Sequence, residues 1–258
     1  GFDRYYGVLD AFTNLHHPHR LVEDNHTVEV DRYPDGYYVT DDLTDRAVAM
    51  IRQAKASNPT QPFLCYFAHI AVHAPLQCRA EDLERHRGRY DAGWDEIRRR
   101  RHERQVELGL LPPGTPLPPR NDEPGDEVPP WEDLDPADQR LYARYMEVYA
   151  AMVESVDRSV GRLYAALEDL GVAEDTVVLF LSDNGASREG EVAGTTSYFR
   201  TLVSTNARPM EDHDFDRERI DLAGSARALV HYPRGWAMAS NTPFRLYKIN
   251  THAGGHSV

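Results

Sequence analysis

The feature that most constrains the fold is an apolar run that ends in a polar turn. Residues 176–182 read Thr-Val-Val-Leu-Phe-Leu-Ser, and Asp183, Asn184 and Gly185 follow directly. A short, continuous, β-branched run is typical of a strand that is buried on both faces, as in a parallel sheet. Ligands of open α/β sheets bind beyond the carboxyl ends of such strands. The sequence therefore predicts an α/β fold with a ligand site after residue 182, with a plain Asn-Gly turn as the alternative.

A long amphipathic helix is predicted just before this strand. Asp135 and Pro136 fit the start of a helix, and Gly171 fits its end. Apolar residues at helical spacing lie between them: Leu141, Tyr145, Val148, Met152, Val156, Val160, Leu163, Leu167 and Leu170. A second helix followed by a strand is expected at 41–56 and 62–68, and a further strand at 226–232. Helix, short loop and strand in this order indicate parallel βαβ units.

One stretch of the chain, at about 79–135, interrupts the α/β pattern. It contains the run Arg98 to Arg101, which is interpreted as the solvated face of a helix. Eight of the 17 prolines lie in residues 111–130, which therefore read as an extended surface segment. We interpret 79–135 as an insertion between two α/β units.

Composition excludes several classes of partner. The net charge of −13 argues against nucleic acid, whose binding requires an excess of Lys and Arg. The two cysteines, Cys65 and Cys78, provide neither a disulfide framework nor zinc spacing, which favours a cytoplasmic protein. No apolar run approaches the length of a transmembrane helix, and no signal peptide is recognised. A small anionic substrate would have to be bound by a local cationic site.

Four residues are candidates for chemistry. Asp183 and Asn184 offer oxygen ligands of the kind that a hard divalent cation takes. His73 follows the predicted 62–68 strand, where an imidazole suits acid–base work, and Lys248 precedes Gly254-Gly255 and could hold an oxyanion. A surface histidine and a surface lysine are the alternatives. Because no activated nucleophile motif accompanies them, the set suits cleavage of a tetrahedral oxyanion ester.

Taken in order, these segments resemble the sulfatase family of the alkaline-phosphatase-like superfamily. The resemblance rests on four anchors: Gly1-Phe2-Asp3 with Gly7; His73-Ala74-Pro75; Thr176 followed by Ser182-Asp183-Asn184-Gly185; and Pro243, Arg245, Lys248 and Gly254-Gly255. It implies a mixed, mainly parallel sheet flanked by helices. It also implies that residues 1–258 are a partial sulfatase catalytic domain, truncated at both ends.

The resemblance assigns roles residue by residue. Asp183 and Asn184 match calcium ligands, although another divalent cation could serve. His73 matches the histidine that contacts the sulfate and protonates the leaving oxygen, and Lys248 matches the lysine that binds the sulfate group. The implied reaction is hydrolysis of a sulfate ester to an alcohol and sulfate, by attack of a hydrated formylglycine.

The chain also departs from the family pattern. Formylglycine arises from Cys or Ser in a C/S-x-P-x-R motif, which is absent here, and Ser57 to Gln61 is only a near miss. The motif and two further metal-binding aspartates are expected upstream of Gly1. The isolated chain is therefore expected to be inactive. Two alternatives stay open: a phosphodiester or phosphonate monoester hydrolase of the same superfamily, and a truncated product retained at most as a binding module.

Overall fold

The computed structural model describes residues 1–10, 12–199 and 213–256, and within these the protein is mixed α/β and mostly helical. The helices are α1 (Val39–Ser57), α2 (Ala80–His86), α3 (Gly93–Glu107), α4 (Pro136–Asp169), α5 (His213–Arg217), α6 (Arg234–Ser240) and α7 (Ala253–His256). Short 3₁₀ turns occupy Trp131–Asp133, Ala173–Asp175 and Ile220–Leu222. None of the described helices is long and apolar enough to cross a membrane.

The two long helices, α1 and α4, confirm the helices predicted from the spacing of apolar residues. The Asp135 carboxylate accepts a 2.7 Å hydrogen bond from the Ala137 amide and caps the start of α4. One face of α4 is buried along most of its length, as its apolar stripe predicts. Helix α1 packs along α4, with the Thr44 and Ser159 hydroxyls 2.7 Å apart. Near the carboxyl ends of the two helices, Arg52 donates to Asp169 at 3.0 Å, so α1 and α4 run in the same direction.

The sheet differs from the prediction. The strands of the described residues, β1 (Tyr6–Val8), β2 (Leu21–Glu23) and β3 (His26–Thr27), form one small antiparallel sheet in the order β1-β2-β3. Residues 62–68 and 176–182 are extended but form no ladder with any described residue. The prediction that they pair in a mainly parallel sheet is therefore wrong for the described residues, because neither segment has a strand beside it there.

The predicted strand at 226–232 is also reduced to single bridges. Leu229 pairs with Ser197 in parallel, while Val230 pairs with Leu76 and His231 with Thr195 in antiparallel fashion. These bridges connect the loop after residue 73 to the loop that follows Gly185. They fix the loops around the predicted site without a continuous sheet.

The 79–135 segment is more than a surface insertion. Trp94 of α3 and Trp131 are buried and pack against Trp236 of α6, with ring centroids 5.9 and 5.6 Å apart. Arg98 is only 4 % exposed, and its guanidinium donates to the Pro119 carbonyl at 3.3 Å. The interpretation of the arginine run as wholly solvated is therefore wrong for Arg98. Burying three aromatic rings contributes more to stability than keeping the Arg98 side chain in water, so the helix turns this arginine inward.

Candidate anion-binding site

Lys248 and His73, predicted from distant parts of the sequence, meet in the structure. The Lys248 ammonium nitrogen lies 3.4 Å from His73 Nε2. His73 Nδ1 lies 2.7 Å from the Ala74 carbonyl, which can only accept. We therefore assign the proton to Nδ1, which leaves the Nε2 lone pair to accept from Lys248. A cation and an imidazole at one exposed position can together contact an oxyanion and its leaving oxygen.

The loop after Gly185 holds the backbone of Lys248 in place. The Lys248 amide donates to the Ala186 carbonyl at 3.0 Å, and the Gly185 amide donates to the Gly255 carbonyl at 3.2 Å. A Cβ atom on Gly185 would lie 1.9 Å from the Gly254 carbonyl oxygen, so this close approach requires glycine. Gly254 is restricted by a different contact, since a Cβ atom on it would lie 2.2 Å from the carbonyl oxygens of Arg245 and Leu246.

Asn241, which the sequence analysis did not single out, ties these loops together. Its side-chain oxygen accepts from the Ala186 amide at 2.7 Å. Its amide nitrogen donates to the Leu246 and Gly254 carbonyls at 2.9 and 3.0 Å. A buried amide with three good partners rigidifies the loops that present Lys248. Its position just after α6 carried no motif signal.

A carboxylate also contacts the Lys248 ammonium. Glu189 Oε1 lies 3.6 Å from Lys248 Nζ, and Glu189 Oε2 accepts from the buried Tyr198 hydroxyl at 2.9 Å. Burial alone would raise the pKa of Glu189, but the Tyr198 hydroxyl and the Lys248 charge outweigh it and lower that pKa. Glu189 is therefore ionised beside the cation. Sequence reasoning missed it because nothing within residues 188–199 forms a recognisable motif.

A buried histidine packs beside Tyr198, the residue that holds Glu189 in the site. His231 is almost fully enclosed, its Nδ1 lies 2.9 Å from the Tyr232 carbonyl, and its ring lies 5.1 Å from that of Tyr198. Burial lowers the pKa of His231 to about 4. It is therefore neutral near pH 7, and it adds no positive charge to the Lys248 site.

Asp183 and Asn184 lie close to this site along the chain but are not enclosed by it. Asp183 is exposed, and neither side chain makes a hydrogen bond to a described residue. Free oxygens suit a divalent cation, but Ca²⁺ takes six to eight of them. Within the described ranges, no group of three or more acidic, histidine or cysteine side chains is arranged to hold a metal. The two residues fit part of a calcium site and cannot form a whole one.

The surface also contains a cavity that has no part in this site. It is lined by His16, Tyr33 and Tyr37, among others, and includes none of the four predicted site residues. The proximity of Lys248, His73 and Glu189 is a better guide to chemistry than the size of a depression, since it joins charge and an imidazole at one point.

Comparison with known proteins places the chain in a family. The sulfatase family model matches residues 1–258. An uncharacterized sulfatase of Schizosaccharomyces pombe is 35% identical over 209 residues, which are 81% of this chain and 35% of that protein. An arylsulfatase of Klebsiella aerogenes is 33% identical over 223 residues, which are 86% of this chain and 44% of that protein. The chain thus spans less than half the length of these relatives. With a match along its whole length, this chain belongs to the sulfatase family.

Proposed function

We propose that the intact protein hydrolyses sulfate esters, and that this chain contributes the residues that bind the sulfate group. The observation that carries the proposal is the 3.4 Å approach of Lys248 Nζ to His73 Nε2. Family membership and an arylsulfatase at 33% identity support the same reaction. The substrate class is a small-molecule sulfate ester, and the fold of the intact protein is the alkaline-phosphatase-like mixed sheet with flanking helices.

Each site residue has a distinct role in this proposal. Lys248 binds the sulfate oxygens as a compact point charge and opposes the negative charge that grows in the transition state. His73 donates a proton to the leaving oxygen from Nε2 when its ring is the doubly protonated imidazolium, while its Nδ1 proton stays bonded to the Ala74 carbonyl. Asp183 and Asn184 supply two oxygens to a divalent cation, which we propose to be calcium. When bound, that cation would neutralise charge on the sulfate group.

The attacking group is not among these residues. No C/S-x-P-x-R sequence occurs in the 258 residues, so none of them can be converted to formylglycine within that motif. We therefore propose that the isolated chain does not turn over sulfate esters. Removing a covalent nucleophile leaves only residual catalysis.

The chain offers an unusually clean test of anion binding, because it has only two lysines, Lys55 and Lys248. An amine-acylating reagent followed by peptide mass spectrometry reports on each of them separately. We expect sulfate to protect Lys248 from acylation and to leave Lys55, on α1, unprotected. Equal labelling of both lysines with and without sulfate would contradict the proposed site. Phosphate in place of sulfate tests the alternative phosphoester activity, since preferential protection by phosphate would favour it.

Activity of the intact protein gives the second test. We expect His73→Ala and Lys248→Ala each to lower kcat on 4-nitrophenyl sulfate by about 10²-fold or more, the range found when one transition-state donor is removed. Lys55→Ala is the matched control and should keep the wild-type rate. Sustained turnover by the 258-residue chain alone would show that the nucleophile lies within it.

A further inference from the structure

The Glu189 carboxylate lies near the position that the alcohol portion of the substrate would occupy. In the proposed function, on which this inference rests, Lys248 binds the sulfate group and His73 protonates the leaving oxygen. Glu189 Oε1 and His73 Nε2 lie 3.6 and 3.4 Å from the same Lys248 nitrogen, so no more than about 7 Å separates them. A substituent a few atoms from the leaving oxygen is therefore within the range of this negative charge.

A hydrogen bond keeps the carboxylate at the site when a substrate separates it from Lys248. Glu189 Oε2 accepts from the Tyr198 hydroxyl at 2.9 Å, and Tyr198 is only 1 % exposed. The Tyr198 ring packs in turn on His231 and Phe12, at centroid distances of 5.1 and 5.9 Å. Because this anchor does not involve Lys248, the negative charge stays in place after the sulfate group has bound.

Apolar rings border the region next to the leaving oxygen. The Phe12 ring lies 5.4 Å from the His73 ring and 5.7 Å from the Phe199 ring, and both phenylalanines are half-buried. Rings that exclude water lower the local dielectric constant, which strengthens the interaction of a fixed charge with a charge on the substrate. The Glu189 side chain is 32 % exposed, so the interaction has the strength of a partly exposed ion pair.

The sign of this interaction depends on the alcohol portion of the substrate. Glu189 is ionised, since its pKa is lowered. It attracts a positively charged substituent and repels a second negative one. A carboxylate that only held Lys248 in position would act on every sulfate ester alike, because it would change the binding of the sulfate group and of nothing else. Discrimination by charge therefore separates the two roles.

We propose that Glu189 is a specificity-determining residue that selects sulfate esters by the charge of their alcohol portion. It favours esters that carry a positive charge a few atoms from the ester oxygen. It disfavours esters in which a carboxylate or a further sulfate occupies that position. The preferred substrate is thus a small zwitterion, with the sulfate group on Lys248 and the cation near Glu189.

The test compares two substrates of opposite added charge on the intact protein, meta-(trimethylammoniomethyl)phenyl sulfate and meta-(carboxymethyl)phenyl sulfate. We expect the wild type to have the higher kcat/KM for the cationic ester. Glu189→Gln should lower the cation-to-anion ratio of kcat/KM by about five- to twentyfold, because it removes one attraction and one repulsion of a partly exposed pair. Comparing the ratio between variants cancels the intrinsic reactivity of the two esters.

The variants are matched in charge and shape. Glutamine at position 189 keeps the size of glutamate and can still accept from the Tyr198 hydroxyl. Glu174→Gln makes the same charge change at an exposed position and should keep the wild-type ratio. An equal ratio in the wild type and in Glu189→Gln, or a ratio that rises in the variant, would overturn the assignment of specificity to Glu189.

Unsubstituted phenyl sulfate separates this result from a failure of the proposed function. Absence of phenyl sulfate turnover by the intact protein would overturn the proposed function, and the role of Glu189 with it. Turnover of phenyl sulfate together with an unchanged charge ratio would overturn the role of Glu189 alone.

Acylation of Lys248 in the isolated chain provides a second measurement that needs neither turnover nor a variant. We expect the cationic ester to protect Lys248 at a lower concentration than the carboxylated ester, with Lys55 as the internal reference. The difference should shrink at high ionic strength, which screens partly exposed charges. Equal protection by the two esters at low salt would overturn the role of Glu189, and protection by neither would overturn the proposed site.

Discussion

Lys248 forms an ion pair with Glu189, and we expect this pair to limit how strongly the proposed site binds an anion. The carboxylate lies 3.6 Å from the ammonium and is itself held by the Tyr198 hydroxyl. An incoming sulfate must displace Glu189 and is repelled by it. Until an anion binds, the Glu189 carboxylate therefore neutralises the charge of the Lys248 ammonium.

We expect Glu189→Gln to tighten sulfate binding by about two- to fivefold, which corresponds to the free energy of a partly exposed ion pair. Calorimetric titration of the chain with sulfate measures the change. Glu174→Gln makes the same charge change at an exposed position outside the site and should leave the affinity unaltered. Weaker binding in Glu189→Gln would show instead that the carboxylate holds Lys248 in place.

His231 makes the stability of this region dependent on pH. Burial lowers its pKa to about 4, below the ordinary value of 6.5, so the folded state disfavours the protonated form. The unfolded chain thus binds more protons between these two values. The contribution of neutral His231 is fully present above about pH 6.5 and is lost as pH falls towards 4. At its largest it amounts to about 3 kcal/mol.

We expect urea unfolding of the wild type to lose stability between pH 6.5 and 4, and His231→Gln to lose distinctly less over the same interval. His26→Gln, at an exposed position of β3, controls for the loss of a histidine. The slope of unfolding free energy against pH is the readout, since the substitution alone lowers stability at every pH. An unchanged slope in His231→Gln would contradict the assignment.

At the scale of elements, helix α3 begins at a glycine where any side chain would be strongly disfavoured. Gly93 has φ +77°, and a Cβ atom there would lie 2.1 Å from the Trp131 ring. The close contact brings Trp131 and Trp94 to a centroid distance of 4.8 Å, edge to face. Through it the 79–135 segment packs on the core that carries α6.

Gly93→Ala should therefore destabilise the protein by about 3 kcal/mol, from a left-handed backbone and an overpacked core together. Gly109→Ala is a matched control, because Gly109 has φ +72° but nothing within 4 Å of a Cβ atom. It should cost only the backbone part, about 1 kcal/mol. Denaturant midpoints of the two variants separate the steric contribution, and equal losses would refute the packing argument.

For the molecule as a whole, the described residues provide only part of a metal site. Asp183 and Asn184 offer two oxygen ligands, and calcium takes six to eight. We expect calorimetry of the isolated chain to show calcium binding weaker than about 1 mM, the low end of protein calcium sites. Asp183→Ala should remove whatever binding remains. A tight calcium titration abolished by Asp183→Ala would show that this chain completes the site by itself.

The sequence predicted α1 and α4 to within two residues, because their apolar stripes and the Asp135 cap are local signals. It also predicted His73 and Lys248 as site residues, and the structure brings their side chains to 3.4 Å from each other. It did not predict Glu189, Asn241 or His231. Their importance depends on contacts that span 33 to 59 residues of chain: His231 with Tyr198, Asn241 with Ala186, and Glu189 with Lys248. The sheet prediction went wrong for a related reason: an apolar run specifies a buried strand but not the strand that buries it.

The sequence by itself determined the two long helices α1 and α4, the family and the identity of the charged and imidazole groups, since each follows from short-range periodicity or from residues in a fixed order. Only the tertiary structure decided which of those groups meet. It placed the Lys248 ammonium in contact with both His73 and Glu189, and it packed Gly185 against the backbone of Gly254. It also left residues 177–182, within the strongest strand signal of the sequence, exposed and without a backbone hydrogen bond to any described residue. Strand formation requires hydrogen-bond partners from another segment, and local sequence cannot supply them.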